Sequence, residues 1–409
     1  MFKIFIKTFG CTLNQRDSEE IIKNVNYTTD EKEITKANYI IINTCGVKEQ
    51  TEHKIINYLN KLKQKNILES KIIICGCLVD INPQILKNIF PNANYFKTNQ
   101  INEINKLFLK KKQIKQKQKS KLTKIVKISN GCLGDCNYCA VKFARGKLKS
   151  RNPKEIIDEI KEAINSGAKE IYLTAQDTGC YGLDINTNIV ELLNLILKTK
   201  GDFKIRLGMG NPQFFIKYYK ELGEILKNKK MYKFIHIPLQ SGDKEVLKKM
   251  NRYYTPEEWM FLVNYFRKTL KNITIATDII VGYPEETQEQ YNNTLKLIQK
   301  TKPDIINISR FGRRPGIKAN QFNDIKGVIK KQRSRELTEL SNKISLENNL
   351  KYIGRIKRTL ITEIGKGCYI GRTQEYKPVV VYEKTKIGET LKIKIIDAKP
   401  HYLIGKTSK

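Results

Sequence analysis

Histidine is nearly missing from this chain: His53, His236 and His401 are the only three in 409 residues. Histidine nitrogen often completes a three-cysteine zinc site, and none of the three lies near the densest cysteine group, at residues 132–139, which argues against a zinc knot there. Long apolar runs are missing too, so no stretch reads as a membrane-spanning helix. The first residues, Met1-Phe2-Lys3-Ile4-Phe5-Ile6-Lys7, read as a charged strand rather than a secretion signal. These absences lead us to expect a cytoplasmic protein without a membrane partner. Acidic residues are scarce, 41 against 76 Lys and Arg, for a formal net charge of +35. An excess of that size suits a polyanionic partner, most simply nucleic acid, better than a merely basic solvated surface.

Cysteine is present and grouped. Nine is an odd number, and in a reducing compartment such grouping favours metal binding over disulfides. The stretch Gly131-Cys132-Leu133-Gly134-Asp135-Cys136-Asn137-Tyr138-Cys139 has the spacing CxxxCxxC. Three thiolates this close can hold three irons of one [4Fe–4S] cube and leave the fourth iron open. The spacing resembles the signature of radical S-adenosylmethionine (SAM) enzymes. The resemblance implies that SAM binds the open iron and is split by a cluster electron to a 5′-deoxyadenosyl radical. Tyr138 resembles the family's aromatic that packs on the SAM adenine; the other reading is an ordinary packed loop tyrosine.

The rest of the chain reads as α/β in two stretches followed by an all-β end. Residues 1–108 alternate short apolar strands (Phe2–Lys7, Tyr39–Asn43, Lys71–Cys75) with helical segments near Asp17–Val25, Glu49–Lys65 and Pro83–Ile89, which predicts a parallel sheet. From Lys106 to Lys127 come ten lysines and no acid, read as a basic linker over 109–123. Between 124 and 345 six strands recur with helices between them: Ile125–Ser129, Glu170–Ala175, Phe203–Gly208, Lys233–Pro238, Thr274–Ile280 and Asp304–Ser309. Six units fall short of an eight-unit barrel and predict a partial (β/α)6 barrel with its chemistry at the strand C-terminal ends. A helix around Lys330–Leu350 bridges to 346–409, where five short strands predict a small β-barrel.

Cys11, Cys45 and Cys77 are far apart in sequence, yet each follows a predicted strand of the first domain. Loops at one edge of a parallel sheet converge, so the three could form a second three-cysteine site. By position alone, buried structural thiols are the alternative. Cys75 is expected to point into the core, and Cys180 and Cys368 to be structural.

Motifs along nearly the whole length resemble the radical SAM methylthiotransferases. They are Thr8-Phe9-Gly10-Cys11-Thr12-Leu13-Asn14, Asn43-Thr44-Cys45, Cys75-Gly76-Cys77, Arg206-Leu207-Gly208-Met209-Gly210-Asn211-Pro212, His236-Ile237-Pro238-Leu239-Gln240-Ser241-Gly242 and Thr277-Asp278-Ile279-Ile280-Val281-Gly282-Tyr283-Pro284. The terminal barrel resembles a TRAM domain, an RNA-binding module. Leu133, the segment Val141-Lys142-Phe143-Ala144-Arg145-Gly146-Lys147-Leu148, and Gln176-Asp177-Thr178-Gly179-Cys180-Tyr181-Gly182 resemble the archaeal and eukaryotic branch, which acts on threonylcarbamoyladenosine in tRNA. Arg314-Pro315-Gly316-Ile317 departs from the family, which usually has Thr after the glycine.

The resemblance implies two [4Fe–4S] clusters, one on Cys132, Cys136 and Cys139 and an auxiliary one on Cys11, Cys45 and Cys77. It also implies SAM in two uses, as methyl donor and as radical source. Tyr138, Gln176, Arg206 and Gln240 are the expected cofactor contacts, with a structural polar role open for the last three. The implied reaction turns N6-threonylcarbamoyladenosine at position 37 of tRNA into its 2-methylthio form. Sulfur insertion at an aromatic C–H carbon has no easy polar route, and a cofactor radical supplies the missing reactivity. The anticodon stem-loop of tRNA is the expected partner, with a reductant and a sulfur donor that the sequence does not name. Sister branches act on isopentenyladenosine 37 or on a ribosomal protein. A non-catalytic iron–sulfur RNA-binding protein is the reading from another class.

Overall fold

The computed structural model describes residues 2–23, 25–109 and 122–408. Most of the lysine-rich segment therefore lies outside the described residues; the helix Ile101–Leu109 and the strand Thr123–Lys127 stand at its two ends. The chain divides into two compact units: Met1–Lys119 with Ser129–Lys149 and Gly312–Gln321, and Ser120–Ile128 with Ser150–Phe311 and Phe322–Lys409. This grouping differs from the domain order along the sequence. The CxxxCxxC loop belongs with the N-terminal sheet, and the terminal barrel belongs with the six-strand segment.

The first unit is built on five parallel strands, β1 (Ile4–Thr8), β2 (Tyr27–Thr28), β3 (Tyr39–Thr44), β4 (Ile72–Gly76) and β5 (Asn94–Phe96), in the order β2-β1-β3-β4-β5. The register pairs Ile41 with Ile6 and with Ile73. Alternate residues go to opposite faces. Ile40, Ile42, Ile72 and Ile74 pack under the helix Glu49–Lys63 through Ile55 and Leu59. Ile41, Ile73 and Cys75 pack on the other face with Ile21, Ile104 and Phe108. Being covered on both faces explains the unbroken isoleucine runs. Cys75 is fully buried, as expected of a core position.

The second unit opens with six parallel strands: β6 (Thr123–Lys127), β7 (Glu170–Thr174), β8 (Lys204–Leu207), β9 (Phe234–His236), β10 (Thr274–Val281) and β11 (Ile305–Arg310). They form two three-stranded sheets, β8-β7-β6 and β9-β10-β11, linked by the parallel bridge Ile205↔Met231. This is the expected partial barrel. The helix Gly327–Leu350 is held to it by a buried ion pair, Arg333 to Glu286 at 2.8 Å.

Five further strands, β12 (Ile356–Gly365), β13 (Cys368–Thr373), β14 (Pro378–Val381), β15 (Thr390–Ala398) and β16 (Leu403–Thr407), close a barrel in the order β12-β13-β14-β16-β15. The turn between β13 and β14 enters the partial barrel from the N-terminal ends of its strands. Gln374 accepts from Lys204 and donates to the Met231 carbonyl, and its own carbonyl takes the Lys233 N–H at 2.7 Å. Thr274 donates to the Glu375 carbonyl at 2.6 Å, and the Tyr376 and Tyr172 hydroxyls meet at 2.8 Å. Lys377 pairs with Asp304 at 2.8 Å, both side chains under 10% exposed. Removing one partner of a buried pair strands the other charge, so Lys377→Ala is expected to cost about 3–5 kcal/mol. Urea unfolding of the full chain measures it; a change under about 1 kcal/mol would mean the pair is not desolvated as found.

Candidate metal centres

Three loops at the C-terminal edge of the first sheet carry the first cysteine triad. Cys11 caps the helix Thr12–Ile21, Cys45 directly follows β3, and Cys77 opens the helix Cys77–Ile81. The loops touch: a Cβ on Gly10 would stand 2.6 Å from the Cys45 Cβ and 3.0 Å from its Sγ. Asn14 ties them together. Its amide donates to the Phe9 and Thr44 carbonyls, each at 2.9 Å, and its Oδ1 lies 3.8 Å from Cys77 Sγ. Asn43 adds bonds to the Asn14 carbonyl at 2.8 Å and to Ser18 Oγ at 2.9 Å.

Burial pushes the Cys45 thiol up and the Cys77 thiol up to about 12, while Arg145 pulls Cys77 back down. Thiols so placed do not ionise unaided; a bound metal would supply the missing positive charge, since a coordinating thiol is deprotonated outright. Cys75 is also raised by burial, and it sits inside β4 rather than at the edge.

The second triad lies on the loop 132–139. Gly131 sets its entry with φ +73°, and a Cβ there would fall 2.0 Å from the Lys147 carbonyl oxygen, so only glycine fits. The Gly134 N–H points at Cys132 Sγ at 3.2 Å, and a Cβ on Gly134 would stand 3.4 and 3.6 Å from the sulfurs of Cys132 and Cys136. Two sulfurs thus face one turn. Cys139 follows on a 3.1 Å bond from its N–H to the Cys136 carbonyl. All three cysteines are partly exposed. Asp135 clamps the loop to Lys142 and to Lys318, the latter at 2.8 Å, and these bonds hold its carboxyl below the usual range. The Ala319 N–H reaches the Asn137 carbonyl at 2.9 Å.

In the second unit, Gln176 and Gln240 stand just past the C-terminal ends of β7 and β9. Each has a buried Oε1 without a hydrogen-bond partner. Gln240 is held in a left-handed conformation, φ +68°, by bonds to the Asp278 carbonyl and from the Ile280 N–H. Other buried side-chain oxygens among the described residues also lack a partner, but these two stand at the C-terminal edge of the parallel strands, where a bound group would meet them. Arg206, expected beside them, keeps other company. Its guanidinium lies 5.0, 5.4 and 5.5 Å from the rings of Phe234, Tyr376 and Tyr172, where the terminal barrel enters. Its observed partners are those of a structural cation–π cage.

Two groups escaped the sequence reading. His236 and Asp278 meet at 2.9 Å, and Asn307 donates to the other Asp278 oxygen at 2.8 Å. Arg145 is buried beside the first triad, pairing with Asp17 at 2.6 Å and donating to Asn14 Oδ1 at 2.8 Å. The polar spacing Asn14, Asp17, Ser18 after Cys11, one face of a helix, was the available signal.

Known proteins resemble this chain throughout. Residues 3–97 match the Uncharacterized protein family UPF0004, 126–298 the Radical SAM superfamily and 350–407 the TRAM domain. A probable threonylcarbamoyladenosine tRNA methylthiotransferase of Archaeoglobus fulgidus is 39% identical, over 98% of each chain. The threonylcarbamoyladenosine tRNA methylthiotransferase of Homo sapiens is 30% identical, over 98% of this chain and 73% of its own length. Among solved structures, the radical SAM methyltransferase TsrM from Kitasatospora setae, with cobalamin and a [4Fe–4S] cluster bound, superposes at a TM-score of 0.57. It is 12% identical, over 78% of this chain and 76% of that one, so the likeness concerns the fold.

Proposed function

The chain belongs to the family of threonylcarbamoyladenosine tRNA methylthiotransferases, and from that premise we propose that its two cysteine triads each hold a [4Fe–4S] cluster. It is a radical SAM enzyme that transfers a methylthio group to threonylcarbamoyladenosine in tRNA. Cys132, Cys136 and Cys139 hold the SAM-cleaving cluster; Cys11, Cys45 and Cys77 hold the auxiliary one. The observation that carries this reading is the convergence of the three strand-end loops on Asn14. When bound, the clusters and SAM supply the electron, the radical and the sulfur that the side chains cannot.

The chain's own residues bind and orient. Tyr138, Gln176 and Gln240 are assigned to SAM, the two glutamines on their orphan oxygens. Arg206 is assigned to the barrel interior. For the carboxylate of the threonylcarbamoyl group, Arg314 is the less accessible choice, being buried and paired with Glu52 at 2.9 Å. Arg310 and Arg313 are both exposed and are our candidates. The substrate is the base at position 37 of the anticodon stem-loop, where unstacked bases can be reached. No helix among the described residues is long and apolar enough to cross a membrane. Mass analysis of tRNA nucleosides from cells with and without the gene tests the reading. The 2-methylthio derivative should vanish on deletion, and its persistence would sink the assignment.

The barrel's exposed cations, Arg355, Arg358 and Lys366, are assigned to RNA phosphates, whereas Lys357 is engaged by Glu375 at 2.7 Å. Replacing the three by Gln should weaken tRNA binding and reduce the log–log salt slope by about 2 to 3, close to 0.9 for each lost phosphate contact. Filter-binding titrations over a salt series read both. An unchanged slope would place the tRNA elsewhere.

A further inference from the structure

Arg145 is not needed for either cysteine loop as the sequence presents them, yet the fold gives it an unusual position. It ends the five-residue helix Val141–Arg145, which starts two residues after Cys139. Its side chain is 2% exposed and runs away from that loop into the first triad. There it meets Asp17 at 2.6 Å and Asn14 Oδ1 at 2.8 Å, and that same Oδ1 lies 3.8 Å from Cys77 Sγ. Asn14 is the residue that ties the Cys11, Cys45 and Cys77 loops together, so the guanidinium holds the tie itself. The neighbouring Ala144 carbonyl is anchored by the Thr98 hydroxyl, which fixes where the helix ends. A planar guanidinium offers five donors in a fixed fork and can serve a carboxylate and an amide oxygen together; lysine offers three, all from one nitrogen.

We propose that Arg145 is a positioning residue that couples the two centres: it raises the reduction potential of the cluster on Cys11, Cys45 and Cys77 and fixes the 132–139 loop relative to it. The inference rests on the two-cluster reading above. Two physical effects combine. Positive charge and N–H donors beside a ligating sulfur stabilise the reduced, more negative state of an iron–sulfur centre. The same side chain is the covalent continuation of the radical-cluster loop, so a change in its length moves one centre against the other. Asp17 is the counter-charge that makes burial of this cation tolerable.

The test uses the full chain, reconstituted anaerobically, in a background where Cys132, Cys136 and Cys139 are all Ala. That parent should keep about four irons, so its electron paramagnetic resonance signal belongs to the auxiliary site. In a potentiometric titration, Arg145→Met should move the midpoint to a more negative potential, and Arg145→Lys should move it less. The double variant Arg145→Met/Asp17→Asn removes both charges and guards against misfolding around a stranded carboxylate. It should still titrate below the parent, because the N–H that holds Asn14 Oδ1 beside Cys77 Sγ is gone. Midpoints equal to the parent's in the single and the double variant would overturn the assignment of Arg145. A parent that binds no iron would overturn the two-cluster reading instead, so the two failures are distinct. With all six cysteines restored, Arg145→Lys should make about ten- to a hundredfold more 5′-deoxyadenosine per methylthiolated tRNA than the unaltered enzyme, since small misplacements at a reacting centre cost that much. An unchanged ratio would overturn the positional half of the proposal.

Discussion

Protein carrying Cys45→Ala is expected to cleave SAM and yet leave its tRNA unthiolated, while Cys136→Ala protein cleaves none. The two cysteines belong to loops built by different means. Cys45 sits at the end of β3, packed against Gly10 and braced through Asn14. Cys136 sits on a loop clamped by Asp135 to Lys142 and Lys318. Loss of one sulfur leaves the other loop's bonds intact, so each variant should keep one centre. Iron content should fall from about eight per chain to about four in each case. Anaerobic assays with a reductant, following 5′-deoxyadenosine and the modified nucleoside separately, distinguish the two variants. Full product formation by the Cys45→Ala enzyme would remove the auxiliary-cluster assignment. Loss of SAM cleavage in both would mean that the centres do not stand apart.

Anticodon stem-loops offer the second large effect. With threonylcarbamoyladenosine at the target position the enzyme should turn over; with isopentenyladenosine it should be slower by about 10⁴-fold in kcat/KM. The first base brings a carboxylate and a hydroxyl, the second only hydrocarbon. A site that hydrogen-bonds a polar substituent rejects the analogue lacking it by such factors, because its own polar groups are left unpaired, whereas apolar pockets discriminate weakly. Arg310 and Arg313 are the exposed cations assigned to that carboxylate. Replacing the responsible one by Met should erase most of the preference and leave SAM cleavage alone. Comparable rates on both stem-loops with the unaltered enzyme would overturn the assignment of a carboxylate-reading cation to this site.

Where apolar periodicity was clean, the elements were legible within a residue or two. β3 was expected at Tyr39–Asn43 and runs Tyr39–Thr44; the helix expected at Glu49–Lys65 runs Glu49–Lys63. The first helix was misplaced: expected near Asp17–Val25, it runs Thr12–Ile21. Its start is capped by Cys11 without a side-chain bond, so the usual Ser, Thr, Asp or Asn mark is absent. Its buried face carries Asn14, Asp17 and Ser18, so it does not read as an apolar stripe. That face is polar because it binds the strand-end loops: Asn14 bonds the Phe9 and Thr44 carbonyls, Asp17 pairs with Arg145 and Ser18 bonds Asn43. Cys132, Cys136 and Cys139 could be picked out by their CxxxCxxC spacing, whereas Cys11, Cys45 and Cys77 needed their strand-end positions and the motifs around them. Their supports could not, since Asn14 and Arg145 are 131 positions apart and meet only in the fold. Arg206 shows the converse: position on a strand was readable, but the rings around it come partly from Tyr376, beyond any local pattern.

The stopper formed by the β13–β14 turn has a consequence for how the protein is made. A ribosome delivers all six parallel strands before it reaches Gln374, Tyr376 and Lys377. Until then Asp304 waits without its lysine and Arg206 with one ring fewer. The half-made barrel lacks the ring that Tyr376 lays against Tyr172, Tyr232 and Phe234. The partial barrel is thus unfinished at its base until the terminal barrel has been translated and seated. A message cut short after the sixth strand yields an exposed aromatic core that chaperones and proteases recognise, rather than a loose enzyme firing radicals without a tRNA to receive them.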